Sequence, residues 1–148
     1  MSILKESLKQ AEAPRMLPTR LRLLRLVLFA CGLIDCLALV VLFLPDSTMA
    51  DWQTRAGLGP FPQVPITSYL ARSSSLMYVA HGLLLLFLSR HVEKYLPVIR
   101  CLAWIAIGHA IVLVFVGMLT GMPWWWLCLE GPLLLTWGVV VLWLGKQL

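Results

Sequence analysis

The sequence predicts an all-α integral membrane protein, an up-and-down bundle of four helices with both termini on one side. Three observations predict it. Four apolar stretches, about residues 23–44, 68–89, 98–119 and 124–144, are each long enough to cross a bilayer as a helix. The 148 residues are 60% hydrophobic and only 13% charged, unlike an ordinary soluble domain. The basic residues are also unevenly placed. Lys5, Lys9, Arg15, Arg20, Arg22 and Arg25 lie before or at the start of the first stretch, and Arg90, Lys94 and Arg100 flank the second connection. The first connection holds Arg55 alone, and Gly121-Met122-Pro123 carries no charge. By the positive-inside rule this places both termini and the second connection in the cytoplasm. The net charge of +5 then meets anionic headgroups and not nucleic acid.

Residues 1–22 read as a basic cytoplasmic tail. Ile3, Leu4 and Leu8 alternate with Lys5, Glu6, Lys9 and Gln10, a pattern for a short amphipathic turn on the membrane surface. Pro14 and Pro18 separate it from the first span. That span, about 21 apolar residues followed by three more spans, is too long for a cleaved signal peptide and reads as a signal anchor.

The outer loop of residues 45–67 is the sizeable connection. Ser47 or Thr48 is placed to cap a short helix through Trp52 to about Ala56. Gly57 and Gly59 break it, and Pro60, Pro62 and Pro65 impose extended backbone. Trp52, Phe61 and Tyr69 suit the membrane–water interface. A short cytoplasmic loop from Arg90 to Leu96 puts Pro97 in the first turn of span three. Gly121-Met122-Pro123 is a tight outer turn, with Trp124, Trp125 and Trp126 as interfacial anchors. Pro132 predicts a kink near Glu130, and Gly117-x-x-x-Gly121 permits close helix approach. Residues 145–148 form the cytoplasmic end. Four spans and their loops leave no room here for a soluble catalytic domain.

The candidate functional residues are the ionisable ones inside the spans: Asp35, Arg72, His81, His109 and Glu130. A central Asp or Arg costs about 2.5–3.5 kcal/mol on insertion scales, so each calls for a partner or a purpose. Arg72 lies four residues and Glu130 six residues below the outer starts of their spans, which makes an Arg72–Glu130 pair the natural match. Ser68 and Ser75 share the Arg72 face. Cys31, His81 and His109 lie at neighbouring depths with Asp35 a turn above Cys31, a set able to hold a metal, or a haem between the two histidines. Arg72 and His81, nine residues apart, are half a turn out of phase. They therefore serve different neighbours, or one faces a partner subunit. Asp35, near the midplane, is either a proton- or cation-coupled site or a polar clamp bonded to His81, His109 or Tyr78. Cys31, Cys36, Cys101 and Cys128 form no Cys-x-x-Cys pair and read as buried apolar residues.

Several runs also resemble a family of small, uncharacterised four-span bacterial membrane proteins. They are Gly57-Leu58-Gly59-Pro60-x-Pro62, Tyr69-Leu70-Ala71-Arg72-Ser73-x-Ser75, Tyr78-x-x-His81-Gly82, Gly121-Met122-Pro123-x-Trp125-Trp126 and Glu130-Gly131-Pro132. The likeness covers roughly residues 45–135. It implies the bacterial cytoplasmic (inner) membrane and a single design for Arg72, His81 and Glu130, and it carries no activity. In that family an acidic residue often precedes the Gly-Met-Pro turn in span three. Val112–Thr120 has none, which counts against any role needing such an acid.

Three function classes follow. The leading one is non-enzymatic: an accessory or scaffolding subunit, or a homo-oligomer, that packs its polar faces against another membrane protein or itself. The alternative is a small proton-coupled transporter using Asp35 and Glu130. The third is a redox subunit holding haem or metal through His81 and His109. No nucleophile–base pair and no phosphate-binding glycine loop supports an enzyme.

Overall fold

The computed structural model describes residues 16–146 and Leu148, and side chains from Thr19 onward. The amphipathic reading of residues 2–12, with most of the basic tail, lies outside the described residues. Among the described residues six helices follow one another: α1 (Met16–Cys36), α2 (Leu39–Phe43), α3 (Asp46–Arg55), α4 (Pro65–Arg90), α5 (Val92–Leu119) and α6 (Trp124–Gly145). Among the described residues four segments are long and apolar enough to cross a membrane: Thr19–Phe43, which joins α1 to α2, and then α4, α5 and α6. The protein is thus an all-helical, multi-pass membrane bundle. One end carries Arg20, Arg22, Arg90 and Lys94 and is called here the basic end; α3 and the α5–α6 turn mark the loop end.

Local chemistry explains most boundaries. Pro65 occupies the first position of α4, where its missing N–H costs nothing, so α4 starts three residues before the predicted Ser68. Gly57 (φ 70°) and Gly121 (φ 71°) take the left-handed conformation that ends α3 and α5. In each case the two amides that follow close back on the helix: Gly57 and Leu58 donate to Thr54 and Gln53, and Gly121 and Met122 donate to Met118 and Gly117.

Four further features differ from the prediction. The helix begins at Met16, so Pro18 lies within its first turn and not before it. The first crossing is interrupted at Leu37–Ala38, where Ala38, Val40 and Val41 donate to carbonyls three residues back and the helix tightens. Neither Ser47 nor Thr48 caps α3. Extended Pro45 precedes it and Asp46 is its first residue, a favourable place for an acid. The loop expected from Arg90 to Leu96 shrinks to His91; α5 starts at Val92 and breaks at Tyr95 (φ −112°, ψ 22°), so Pro97 follows a real interruption. Through Pro132, by contrast, α6 runs as one helix.

The helices pack chiefly as two close pairs, α1 with α4 and α5 with α6. All four meet in a shared core of Leu24, Leu28, Leu85, Leu88, Val92, Ile99, Ala103, Val141 and Leu144. Every one of these residues belongs to the half of its membrane-crossing segment nearer the basic end. Large apolar side chains such as Leu26, Met77 and Leu119 point outward, as a lipid solvent permits. Lipid is as apolar as leucine, so what holds the pairs is close backbone packing at small residues. On α6, Gly131, Gly138 and Gly145 recur every seven residues. On α5, Ala103, Ala110 and Gly117 do the same, and all six are buried. The heptad spacing keeps both small faces in register along an antiparallel, left-handed seam. At the basic end the Arg100 guanidinium donates to the Gly145 carbonyl and closes α6. The Arg25–Glu93 contact, 3.5 Å and exposed, adds little.

Candidate functional site

The polar residues inside the bundle are set by one very close helix crossing. Gly32 of α1 and Gly82 of α4 face each other across it. A methyl group on Gly82 would stand 2.7 Å from the Gly32 carbonyl oxygen and 2.9 Å from the Asp35 Cβ. Such an approach leaves Asp35 and His81, on adjoining turns, in direct contact: Asp35 Oδ2 and His81 Nδ1 are 2.8 Å apart. Of the three partners proposed for Asp35, the structure selects His81. The Asp35 side chain is mostly covered and the imidazole is less so. Tyr78, a turn nearer the loop end on α4, lies within electrostatic reach of both Asp35 and Glu130.

Arg72 does not pair with Glu130. Its Nη2 donates to Asp46 Oδ1 at 2.8 Å and to the Leu44 carbonyl at 3.1 Å. The physical reason is the path of the chain. After α2, extended Pro45 turns the backbone back onto the first turns of α4, and this brings Asp46 above Ser68 and Arg72, which share a face one turn apart. The Ser68 hydroxyl donates to Asp46 Oδ2 at 2.7 Å, so the carboxylate is held from both oxygens. Ser75, which shares the Arg72 face, donates to the Ala71 carbonyl and not to this cluster. The Ser68 hydroxyl first, and then the Arg72 guanidinium, hold the Asp46 carboxyl below its ordinary range against an opposing effect of burial. Asp46 is therefore ionised at neutral pH and the pair is a true ion pair.

Glu130 finds its partner within its own helix: Trp126 Nε1 donates to Glu130 Oε2 at 2.6 Å. The interfacial aromatics gather at the loop end: Trp124, Tyr69 and Trp52 are exposed, and Trp125 packs edge-on against Trp126. Such girdling suits the membrane surface.

Among the ligand candidates Cys31, Asp35, His81 and His109, the structure joins Asp35 to His81. Among the described residues no group of three His, Cys, Asp or Glu side chains is placed to hold a metal ion. His109 stands apart: it lies exposed on the outer surface of α5, with no hydrogen bond among the described residues. The phase conflict between Arg72 and His81 is resolved by different neighbours, the α2–α3 segment for one and α1 for the other.

Sequence reasoning missed Asp46, Gly32 and Gly82. The available signal was a glycine in each of two spans within three residues of an ionisable group, Gly32 before Asp35 and Gly82 after His81. No protein-family model matches this chain, and neither does any curated protein or solved structure.

Proposed function

We propose that this chain is a small, non-enzymatic accessory or scaffolding subunit of the bacterial inner membrane, with both termini cytoplasmic, that docks through α5 onto a helix of another membrane protein. The observation that carries this reading is His109. It sits near the middle of a membrane-crossing helix, exposed on the bundle's outside, beside an exposed Gly108 around which a Cβ would meet nothing within 4 Å. An unpartnered imidazole in hydrocarbon is costly, and a glycine notch admits a neighbouring helix closely. Trp104, Ile105, Ile111 and Val112, all exposed, form the walls of that notch. In a two-fold pair packed on this face His109 would meet its own copy, imidazole to imidazole, whereas a different chain with a carboxylate at this depth offers a charge-assisted bond and is the better match. The basic end in the cytoplasm is supported by the charge asymmetry.

The test is a photo-cross-linking amino acid at Val112 in native membranes. The expected product is an adduct with one other membrane protein, abolished by Gly108→Leu and weakened about tenfold in affinity by His109→Leu, about one membrane hydrogen bond at the upper end of its range. Because the space at Gly108 is open, Gly108→Leu leaves the fold intact. Adducts with lipid alone or with a second copy alone overturn the reading.

A second reading rests on Tyr78, which lies within electrostatic reach of both intramembrane carboxylates. It is a small proton-coupled transporter in which Asp35 and Glu130 titrate and Tyr78 links them. Proton-driven solute flux in vesicles is then expected to vanish in Asp35→Asn; undiminished flux removes Asp35 from any such path.

A further inference from the structure

At the loop end an open groove of about 820 Å³ lies against α4, with Asp46, Ser68, Tyr69 and Arg72 toward the membrane surface and Leu42 and Leu76 below them. We propose that this groove binds the headgroup of a zwitterionic aminophospholipid, its phosphate on Arg72 and its ammonium on Asp46.

The unused hydrogen-bonding capacity points there. Arg72 spends only Nη2, on Asp46 and Leu44; among the described residues Nη1 and Nε have no partner, which leaves three N–H donors on two edges of the guanidinium, each able to take a phosphate oxygen. Each Asp46 oxygen accepts one bond, from Arg72 or Ser68, and keeps a lone pair free for a further donor. Neither charge is sealed: the Arg72 and Asp46 side chains are 36% and 44% exposed. A lone anion on Arg72 would meet the Asp46 carboxylate, and a lone cation on Asp46 would meet the guanidinium. A ligand carrying both charges on adjacent groups meets neither penalty.

The order of the charges along the membrane normal selects a lipid. Arg72 rises from α4, seven residues, or about 10 Å, inside the helix start, whereas Asp46 lies beyond the end of α2, at the surface. The arginine stem reaches outward toward the helix N-terminus, as α-helical side chains do. In a phospholipid the phosphate is likewise the deeper charge and the ammonium the shallower one. Leu76, a turn deeper than Arg72 and 56% exposed, and Leu42 on α2 continue the groove toward the hydrocarbon, where acyl chains would lie. Asp46 needs N–H donors, so a primary ammonium fits and a trimethylated one does not. None of the α5 docking face lines this groove, so the two proposals stand separately.

The test is lipid retention by native mass spectrometry of the full chain in mild detergent. Phosphatidylethanolamine, phosphatidylcholine and phosphatidylglycerol of identical acyl chains are titrated, with O-phosphoethanolamine as the headgroup alone. The expected result is phosphatidylethanolamine bound about tenfold more tightly than either other lipid, the worth of one or two charge-assisted bonds, with the free headgroup weaker still. The exchange variant D46R/R72D keeps an ion pair but inverts its order along the normal, and is expected to lose the preference. Should that variant fail to fold, Arg72→Lys, which keeps the charge but cannot hold Asp46 and Leu44 while offering planar N–H donors to a phosphate, is expected to show the same loss. Equal retention of the three lipids, a preference that survives both substitutions, or equally tight binding of O-phosphoethanolamine would each overturn the proposal.

Discussion

Gly82→Leu is expected to force α1 off α4 and part Asp35 from His81. Three groups already crowd the Gly82 Cα: the Gly32 carbonyl oxygen, the Asp35 Cβ and the Cys36 Sγ, all 2.7–2.9 Å from where a Cβ would be. Two of them belong to backbone or to the first side-chain atom and have no rotamer to yield. The helices must therefore separate as bodies, and overpacking of this kind costs about 3 kcal/mol at the upper end of its usual range. Separation also forfeits the 2.8 Å Asp35–His81 contact, about 0.6–1.7 kcal/mol for a hydrogen bond between membrane helices. Reversible unfolding in mixed micelles measures the sum, and the His81 ring-nitrogen resonances report the bond directly. His81→Gln isolates the second contribution, because it leaves the glycine contact untouched. Wild-type stability in Gly82→Leu, with the His81 resonances unmoved, would show that the crossing is not what positions the pair.

This dependence explains what the sequence could and could not reveal. Hydropathy and length located all four crossings, because a bilayer imposes that pattern on any chain that spans it. The Arg72 partner was misassigned for an equally physical reason. Matching depths within the spans compares only residues already inside them, and Asp46 lies outside, in a segment that reads as loop. Its role depends on the chain folding back over α4 after Pro45, a long-range event with no local signature. The break at Leu37–Ala38 was equally silent, since neither glycine nor proline marks it. Pro132 does not end α6, whose helix runs on to Gly145. The Asp35–His81 contact was legible as one of three options, and the choice among them was fixed by Gly32 and Gly82, whose meaning appears only once the two helices are side by side. His109 falls within the third candidate span, and its exposure follows from which α5 face the seam of Ala103, Ala110 and Gly117 consumes.

That seam makes a discriminating prediction, since its glycines are not equivalent. Gly138→Ala is expected to cost about 1–3 kcal/mol in the same unfolding measurement, and Gly117→Ala to stay within about 0.5 kcal/mol of wild type. At Gly138 the new methyl would stand 2.9 Å from the Ala103 carbonyl oxygen and 2.7 Å from Ile107 Cγ1, a backbone atom and a stiff β-branched stem. At Gly117 the obstacle is the far end of Leu127, a methyl that a change of rotamer moves aside, while alanine's higher helix propensity offsets the small strain. The two sites occupy the same helix pair and the same heptad register, so a difference between them isolates what the methyl strikes. Combining Gly138→Ala with Ile107→Ala removes one of the two obstacles. The pair should therefore be less unstable than the sum of the single changes, by about 0.5–3 kcal/mol, without regaining the full loss. Strict additivity would mean that the Ala103 carbonyl alone sets the α5–α6 distance; equal costs at Gly117 and Gly138 would mean that backbone approach is not what holds the pair together.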